Sequence, residues 1–470
     1  MHSDVLIVGA GSAGCVLAER LSSDPQCRVT VVEAGPGPAD PVVMRQISDC
    51  LALPIGPASA VVRRYETTLT EAPLRTATIV RGAVVGGSGA VNGGYFCRGL
   101  PSDFDSWAIP GWSWDDVLPH FRAIEADADH DGPLHGSTGP MTIRRVAEFC
   151  PGATAFVAAA RRDGFEWIDD LNGEAAGRPG VAAVPLNVDA GTRMGPGLAF
   201  LGPAGHRPNL TVVDKTRVVR IRFARGRAVG LDCVGPDGPV YLGADRIVLS
   251  AGAIASAHLL MLSGIGPAAP LEAVGVKVLG DLPVGTRSAD HPEWVLPVDW
   301  PSALGRCPLE ALVTTDDGIE IRSYTTGFGI MTGIEDDPED RPHLGVTLMR
   351  PLARGRVTLV SADDEVPPLI EHRYDSEPAD VDTLKAGVEL ARRLAGPAYA
   401  DRSAFWSTSQ HLCGTIPMGP EGEAPLDEQC RVRGVDGLWV VDGSIMPAIT
   451  SRGPHATIVM IGSRAADFIR

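Results

Sequence analysis

Three glycines near the start of the chain have the spacing of a loop that binds a dinucleotide. Gly9, Gly11 and Gly14 follow an apolar run and precede a segment whose apolar residues have helical spacing. In such a loop the first glycine permits a tight turn, the second lets the backbone approach a pyrophosphate, and the third lets the helix pack closely on the strand. The helix would direct its free N–H groups at the phosphates. We therefore predict a pyrophosphate site here.

An acidic residue stands where such a loop requires one. Glu33 ends the next β-branched segment, and a carboxylate at that strand end can accept hydrogen bonds from ribose hydroxyls. Because NAD and FAD share this fingerprint, these residues predict a dinucleotide without choosing between the two.

A second glycine-rich segment favours a flavin. Residues 81–99, RGAVVGGSGAVNGGYFCRG, have six glycines between positions 82 and 94. Backbone without side chains can pass very close to a flat ligand. The valines and aromatic residues of the same segment favour burial, which argues against a loose surface loop.

These loops need a framework of strands and helices to hold them. A strand at 4–8, a helix at 15–21 and a strand at 28–33 form a predicted βαβ unit. Further strands are predicted within 209–250, 308–349 and 354–373, helices at 114–125 and 380–394, and a strand, turn and helix after position 437, whereas 37–80 receives no assignment. If the first and last units serve one cofactor, the cofactor domain is discontinuous.

The composition is that of an acidic globular protein of two or three domains. Its 470 residues carry 41 Lys and Arg against 58 Asp and Glu, and the net charge of −17 disfavours a nucleic-acid partner. Nine widely spaced cysteines without a C-x-x-C pair predict free thiols in a reducing compartment and no metal site. No Lys or Arg precedes the first apolar run, and glycines interrupt the apolar stretch 247–265. We therefore expect a cytoplasmic protein with no transmembrane anchor.

Five sequence blocks, in this order, resemble the glucose–methanol–choline (GMC) flavoprotein oxidoreductases. They are DVLIVGAGSAGCVLAERL with VVEAG, RGAVVGGSGAVNGGYFCRGLPSDFDSW, SAGAIASAHLLMLSGIGP, HLCGTIPMG, and GLWVVDGSIMPAIT with PHATIVMIGSRAADFI. The resemblance covers nearly the whole chain. It implies an α/β, Rossmann-like FAD-binding domain that is discontinuous (1–145, 205–295 and 425–470). It also implies an inserted α+β substrate domain with an antiparallel sheet (146–204 and 296–424).

The resemblance also implies how FAD is held. Gly87, Asn92 and Gly93 match the loop that faces the flavin. Some family members tether FAD through a histidine directly before this asparagine, and that position is Val91 here. The resemblance therefore implies noncovalent FAD.

Residues later in the chain complete the implied cofactor site. Val218 matches a position that contacts the adenine, and Asp442 with Gly443 matches a pair near the phosphates and the ribityl chain. We also include Ser12, Ala34, Val85, Ala456 and Thr457. The family's G-S-P reads A-S-A at 255–257, where we expect local repacking of a helix start.

Two histidines carry the implied chemistry. His411 begins H-L-C-G-T, which is similar to the family's H-x-x-G-T, and His455 falls at the family's second catalytic position. Oxidation of a CH–OH group by hydride transfer needs a base, a hydride acceptor and a donor that holds the oxygen. We assign His411 as the base and His455 as the residue that orients and polarises the oxygen, since imidazole suits proton transfer near pH 7. The reverse assignment stays open.

A finer resemblance concerns the substrate. The short chain, the VNGGYFCR loop and RGPHATIVMIG are similar to the mycofactocin-associated GMC oxidoreductases of actinobacteria. That likeness implies a dehydrogenase that oxidises a reduced, peptide-derived, quinone-like cofactor and passes electrons to a respiratory acceptor at the inner face of the membrane. Three alternatives stay open: an oxidase or dehydrogenase of a small alcohol, a hydroxynitrile-lyase-like member, and a catalytically silent flavin-binding protein.

Other residues of reactive type receive structural interpretations. His291 is predicted as a turn residue near the domain junction, and His130 and His135 as parts of a solvated loop without metal-ligand spacing. Cys413 is predicted to pack rather than to act as a nucleophile. The predicted core includes Trp107, Trp112 and Trp114.

Overall fold

A computed structural model describes residues 2–334 and 340–469. Its strands are β1 (His2–Val8), β2 (Val29–Val32), β3 (Val62–Glu71), β4 (Leu74–Gly82), β5 (Glu125–Asp127), β6 (Met141–Ile143), β7 (Gly180–Ala183), β8 (Val188–Asp189), β9 (Thr192–Arg193), β10 (Leu210–Val213), β11 (Arg217–Ala224), β12 (Arg227–Gly235), β13 (Gly238–Leu249), β14 (Ile265–Gly266), β15 (Gly280–Asp281), β16 (Pro292–Pro297), β17 (Leu309–Thr314), β18 (Ile319–Tyr324), β19 (His343–Leu348), β20 (Arg356–Thr358), β21 (Leu369–Glu371), β22 (Phe405–Thr408) and β23 (Leu438–Val440). Its α-helices are α1 (Ser12–Leu21), α2 (Pro41–Ser48), α3 (Pro101–Trp107), α4 (Trp114–Ile124), α5 (Pro151–Arg162), α6 (Gly202–Ala204), α7 (Gly252–Leu262), α8 (Ala268–Ala273), α9 (Phe328–Met331), α10 (Pro378–Ala395) and α11 (His455–Ile469).

A seven-stranded sheet collects strands from distant parts of the chain. Its order is β10-β2-β1-β13-β12-β11, and β23 pairs with β13. The pairs among β10, β2, β1, β13 and β23 are parallel, whereas β11, β12 and β13 form an antiparallel run. Val5, Leu6 and Ile7 of β1 are fully buried, as expected of a parallel strand covered on both faces. The predicted βαβ unit at the start is confirmed.

Helix α11 packs against α1 and brings the end of the described chain to its start. A Cβ at Gly462 would lie only 2.7 Å from the carbonyl oxygen of Ala13, so a side chain there would force the two helices apart. The contact places the first residue of α11, His455, beside the first residue of α1, Ser12.

A separate six-stranded antiparallel sheet has the order β22-β16-β19-β18-β17-β7. Helix α10 contacts its strands β16, β18 and β19 through the buried residues Leu384, Val388, Ala391 and Leu394, whose spacing is helical. This confirms the predicted helix at 380–394. The mixed α/β sheet and the antiparallel sheet together confirm the predicted fold class, and the numbered domain boundaries stay a prediction.

The segment without a predicted assignment contains the long hairpin β3–β4, which joins β21 and β20 in a four-stranded sheet. Buried Tyr65 and Leu69 alternate in β3 with charged and threonine residues, which obscured the strand pattern. The predicted β-rich region 354–373 contains only two strands of three residues each, β20 and β21.

Several residues of reactive type lie in the core. Cys413 is fully buried and burial raises the pKa of its thiol, which confirms that it packs. All nine cysteines are free thiols, as predicted. Of the predicted core tryptophans, Trp107 and Trp112 are buried in the largest hydrophobic cluster, and Trp114 is partly buried and packs against it. Within 2–334 and 340–469, no helix combines the length and apolarity needed to span a bilayer.

A buried network of charges corrects the prediction for His135. His135 is 7% exposed, and its ring nitrogens lie 3.3, 3.4 and 2.8 Å from carboxylate oxygens of Glu125, Asp127 and Asp170. The cations of the network are His135, Arg98 and Arg145. A solvated loop was the wrong prediction because β5 carries two acidic residues into the interior, where carboxylates need cationic partners.

The network makes the stability of the protein depend on pH. Burial lowers the pKa of His135, but hydrogen bonds with Asp127, Asp170 and Glu125 outweigh it and raise the pKa to about 11. The stabilisation is therefore fully present below the unfolded-state pKa of about 6.5 and is lost as the pH rises towards the folded-state value. We predict that His135→Gln lowers the free energy of unfolding at pH 6 by about 3 to 5 kcal/mol. In urea titrations this deficit should shrink at pH 9.

His130→Gln is the matched control, because this partly exposed histidine precedes His135 in the same loop. It should stay within about 0.5 kcal/mol of wild type at both pH values. A deficit for His135→Gln that stays constant or grows between pH 6 and pH 9 would contradict the assignment.

Candidate active site

One large cavity lies where the two main sheets meet. Its volume is about 810 Å³, towards the upper end of the range for small-molecule sites. Its wall takes residues from the loop after β1, the end of β2, the glycine-rich segment, the starts of α7 and α11, and the antiparallel sheet. The two glycine signatures and both candidate histidines therefore meet at one site.

The loop after β1 contacts its neighbours through backbone atoms. Gly9 has a φ of +96°, and a Cβ there would lie 2.6 Å from the carbonyl oxygen of Ser250. A Cβ at Gly14 would lie 2.0 Å from the oxygen of Gly9, and one at Gly87 would lie 2.7 Å from Cα of Gly11. Helix α1 begins after this loop without a side-chain cap, which leaves its first N–H groups to a ligand. This cradle fits a pyrophosphate.

Glu33 both lines the cavity and holds the loop in place. Its carboxylate oxygens accept hydrogen bonds from the backbone N–H groups of Ala10 and Gly35, each at 2.9 Å. Burial raises the pKa of Glu33, and these hydrogen bonds oppose the shift. The remaining lone pairs of the carboxylate suit ribose hydroxyls. The role in holding the loop was not predicted from the sequence.

Asp442 is bonded to protein donors at both carboxylate oxygens. Gly252 N–H and Ser256 Oγ donate to Oδ2 at 2.9 and 2.6 Å, and Ser444 donates to Oδ1 through its N–H and its Oγ at 2.8 and 2.5 Å. The carboxylate thereby ties the start of α7 to the turn after β23 and places Gly443 on the cavity wall. A direct bond from Asp442 to a cofactor would compete with these four donors.

Most of the predicted cofactor residues line the cavity. Those on its wall are Gly9, Gly11, Ser12, Glu33, Ala34, Gly87, Asn92, Gly93, Val218, Asp442 and Gly443. Gly14 lies behind the wall, where it lets α1 pack on β1 as predicted. Val85, Ala456 and Thr457 do not line the cavity either; these residues are 4%, 0% and 0% exposed and lie in the interior.

His411 lines the cavity from the segment between β22 and β23. Its backbone N–H donates to Asp290 Oδ1 at 2.6 Å, and its Nδ1 lies 2.8 Å from Nδ1 of His291. No residue within the described ranges bonds Nε2 of His411, which leaves that atom for a substrate. Burial lowers the pKa of His411 well below its usual value, and His291 and Arg322 lower it further. The ring is therefore neutral at pH 7 and able to accept a proton.

His455 lines the same cavity at the first turn of α11. Its Nδ1 lies 3.3 Å from Ser12 Oγ, and its buried Nε2 has no partner among the described residues. The edge of Phe96 supports the ring at 5.7 Å between centroids. Burial lowers the pKa of His455 to about 4. An unpaired buried nitrogen at a cavity wall fits a residue that holds the oxygen of a ligand.

The prediction that His291 is a turn residue is wrong. Its ring is fully buried and stands edge-on to His411 at 5.1 Å. The neighbouring Asp290 explains this position, because its carboxylate also accepts hydrogen bonds from Tyr374 and Thr408, each at 2.8 Å. No motif or spacing in the sequence connects positions 291 and 411, so the contact between these two histidines could not be predicted from the sequence.

A second group that sequence reasoning missed lies on the antiparallel sheet. Arg322 lines the cavity and pairs with the buried carboxylates of Glu320 at 2.6 Å and Glu293 at 3.5 Å. The hydroxyl of Tyr95 donates to Glu320 at 3.0 Å. These groups give the cavity, on the side of the antiparallel sheet, a polar wall that is internally paired.

The close packing of Tyr95 and His411 around Gly453 gives a testable expectation. A Cβ at Gly453 would lie 2.9 Å from Cε1 of Tyr95 and 3.4 Å from Cε1 of His411. Gly453→Ala should therefore displace these rings and lower turnover about 10- to 100-fold, while the bound cofactor is retained. Gly177→Ala is the control, because its nearest neighbour is Leu100 Cδ1 at 3.9 Å. Equal turnover in the two variants would contradict the arrangement.

Comparison with known proteins covers nearly the whole chain. The N-terminal family model of the GMC oxidoreductases matches residues 3–293 and the C-terminal model matches residues 351–462. A Rhodococcus erythropolis protein named "uncharacterized GMC-type oxidoreductase in thcA 5'region" is 38% identical over 492 residues, with 100% of this chain and 98% of the relative covered. An oxygen-dependent choline dehydrogenase of Sinorhizobium fredii is 31% identical over 538 residues, with 100% and 96% covered.

A solved structure shows the same likeness. The crystal structure of pyridoxine 4-oxidase from Mesorbium loti superposes with a TM-score of 0.88 at 30% identity and covers 99% of this chain and 98% of that one. Together with the two family models, this likeness shows that the chain belongs to the GMC oxidoreductase family.

Proposed function

We propose that this protein is an FAD-dependent oxidoreductase that oxidises a CH–OH donor, with His411 as the base. GMC oxidoreductases bind FAD, and the backbone cradle around Gly9 fits its pyrophosphate. The observation that carries the proposal is that two neutral, partly buried imidazoles, His411 and His455, line the same cavity as this cradle. When bound, FAD supplies the acceptor for the hydride.

The contact between His291 and His411 suits proton removal from the donor. A neutral His411 with its proton on Nδ1 donates to Nδ1 of His291 and keeps Nε2 free to accept the hydroxyl proton. The imidazolium that forms keeps the same hydrogen bond, which is stronger when its donor is charged. His455, with Nδ1 accepting from Ser12, has its proton on Nε2 and donates it to the oxygen.

We further propose that FAD is held without a covalent bond. Val91 lines the cavity directly before Asn92, and its side chain has no atom that could form such a bond. The residues that would hold the cofactor are the backbone cradle, Glu33, the glycine-rich segment and Val218.

For the donor we propose the reduced form of a mycofactocin-type redox cofactor, in a dehydrogenase that passes the electrons to a respiratory acceptor. The VNGGYFCR loop and the RGPHATIVMIG segment support this assignment. Phe328 and Phe405 line the cavity and are 50% and 55% exposed, so part of the aromatic surface of the cavity wall faces solvent. Exposed aromatic surface on the cavity wall suits a large, flat donor.

A small alcohol is the second candidate donor, with either an oxidase or a dehydrogenase reaction. The likeness to pyridoxine 4-oxidase and to oxygen-dependent choline dehydrogenase favours it. Those names describe the relatives. In this chain, the part of the cavity wall around Arg322 has polar groups that suit a small donor as well.

The test is to mix the FAD-loaded protein with a donor in the absence of oxygen and to monitor reduction of the flavin by stopped-flow absorbance. Reduced mycofactocin and a panel of small alcohols serve as donors. The flavin of the wild-type protein should be bleached by the donor that the enzyme uses. In His411→Ala this bleaching should be about 10² to 10⁴-fold slower, because the base is lost. The FAD content of the variant should be unchanged. His206→Ala, at an exposed histidine, is the control and should behave as wild type.

Each of the other possible outcomes would support a different function for the protein. Bleaching by small alcohols alone would favour the second donor, and cyanohydrin cleavage without bleaching would indicate a lyase. Undiminished bleaching in His411→Ala would show that the base assignment is wrong. An FAD-loaded protein that no donor bleaches or turns over would be a silent flavin-binding protein.

The proximity of His291 predicts the pH profile. Burial and then the His291 ring lower the pKa of His411, so the wild-type reduction rate should stay on its plateau from pH 8 down to the ordinary histidine pKa of about 6.5. His291→Gln removes one of these influences and should move the acid limb to higher pH. The measurement is the rate of anaerobic reduction between pH 5 and pH 9, with His206→Gln as control. An acid limb that stays in place or moves to lower pH would contradict the proposal.

A further inference from the structure

Two cysteines that are distant in sequence have their sulfur atoms in contact. Sγ of Cys50 lies 3.3 Å from Sγ of Cys307, across a sequence separation of 257 residues. Cys50 is 3% exposed and Cys307 is partly exposed, so the pair is reached from solvent on the Cys307 side. A disulfide has a sulfur separation of about 2.05 Å, so a small movement of the two side chains would close the gap.

The surroundings of Cys50 favour a reactive sulfur. The hydrogen bond from the Cys307 thiol lowers the pKa of Cys50, and the Arg193 guanidinium lowers it further, while burial opposes both. Arg193 is 1% exposed and donates to the carbonyl oxygens of Ile47, Ala52 and Ala90. Since no carboxylate of the described residues pairs with it, its positive charge is available to a thiolate nearby.

This pair differs from the other thiols of the protein. Cys413 and Cys15, for example, are fully buried, and burial is the main cause that raises the pKa of each. Among the described residues, no other two cysteine sulfurs are in hydrogen-bonding contact. A buried cation, a partly exposed partner and a second sulfur in contact therefore occur together only here in the described chain.

We propose that Cys50 and Cys307 form a redox modification site that hydrogen peroxide or an organic hydroperoxide converts to a disulfide. The Cys50 sulfur attacks a peroxide oxygen, so that an S–O bond forms, the O–O bond breaks and, for hydrogen peroxide, water leaves after taking up a proton. The Cys307 sulfur then attacks the Cys50 sulfur, the S–S bond forms, the S–O bond breaks and a second water leaves. Two thiols and one hydrogen peroxide thus give one disulfide and two waters, with two electrons passing from sulfur to oxygen.

The position of the pair connects this chemistry to the cavity. Leu53 and Ile55 follow Cys50 and line the cavity, and so do Pro308 and Leu309, which follow Cys307. A disulfide would therefore join two segments of the cavity wall that are otherwise held by hydrogen bonds and packing. Because it closes a loop of 257 residues, it should also raise the thermal midpoint of unfolding.

The test is peptide mapping of the full-length, flavin-loaded protein after exposure to hydrogen peroxide and alkylation of the remaining thiols. In wild type, most of the Cys50 and Cys307 peptides should be recovered as one disulfide-linked pair, which dithiothreitol separates. Cys50→Ser and Cys307→Ser should give no such pair. Cys27→Ser is the matched control, because Cys27 is partly exposed without a neighbouring thiol, and it should give the pair in wild-type yield.

The wild-type measurement decides the proposal even if a serine variant folds poorly. Recovery of both peptides as separately alkylated thiols would overturn it. Conversion of Cys50 to a sulfinic acid without cross-linking would also overturn it. The thermal midpoint of wild type should rise on oxidation and return on reduction, and a fall on oxidation would contradict the expected joining of the two segments.

Discussion

Close contact between backbone segments is the constraint on which the rest of this structure depends. At Gly9, Gly14, Gly87 and Gly462, a Cβ would lie within 3 Å of a carbonyl oxygen or Cα of another segment. Such distances exclude any side chain, so these contacts set how closely α1 approaches β1 and how closely α11 approaches α1. The cradle for the pyrophosphate and the position of His455 are both results of this packing, because Ser12 and His455 begin the two helices that it brings together.

Buried carboxylates organise the polar part of the cavity. Asp290 binds the backbone N–H groups of His291 and His411 and the hydroxyls of Tyr374 and Thr408, and Asp442 fills the same role between α7 and the turn after β23. Asp290 therefore positions His411 through its backbone N–H, and no carboxylate of the described residues bonds its imidazole ring. A partly buried ring with no anionic partner is kept neutral, which is the state that a base requires.

What the sequence predicts here is mainly what depends on local geometry. The glycines and Glu33 follow from the requirements of one loop and the strand beside it, and α10 follows from its apolar spacing. The two candidate histidines came from the family resemblance rather than from spacing. His291 and His135 could not be predicted, because their partners are decided by strand pairing between distant segments. Strand β3 was not predicted either, because one of its faces is exposed and its charged residues mask the strand pattern.

The packing of α11 on α1 has a consequence for the order in which the protein is made. The ribosome releases the glycine loop and α1 early, whereas α11 emerges more than 400 positions later. Until then, α1 lacks its partner helix and leaves apolar surface uncovered, and the loop lacks the ring of His455. A nascent chain therefore carries this uncovered apolar surface throughout translation, and such surface is prone to aggregation until α11 packs on it.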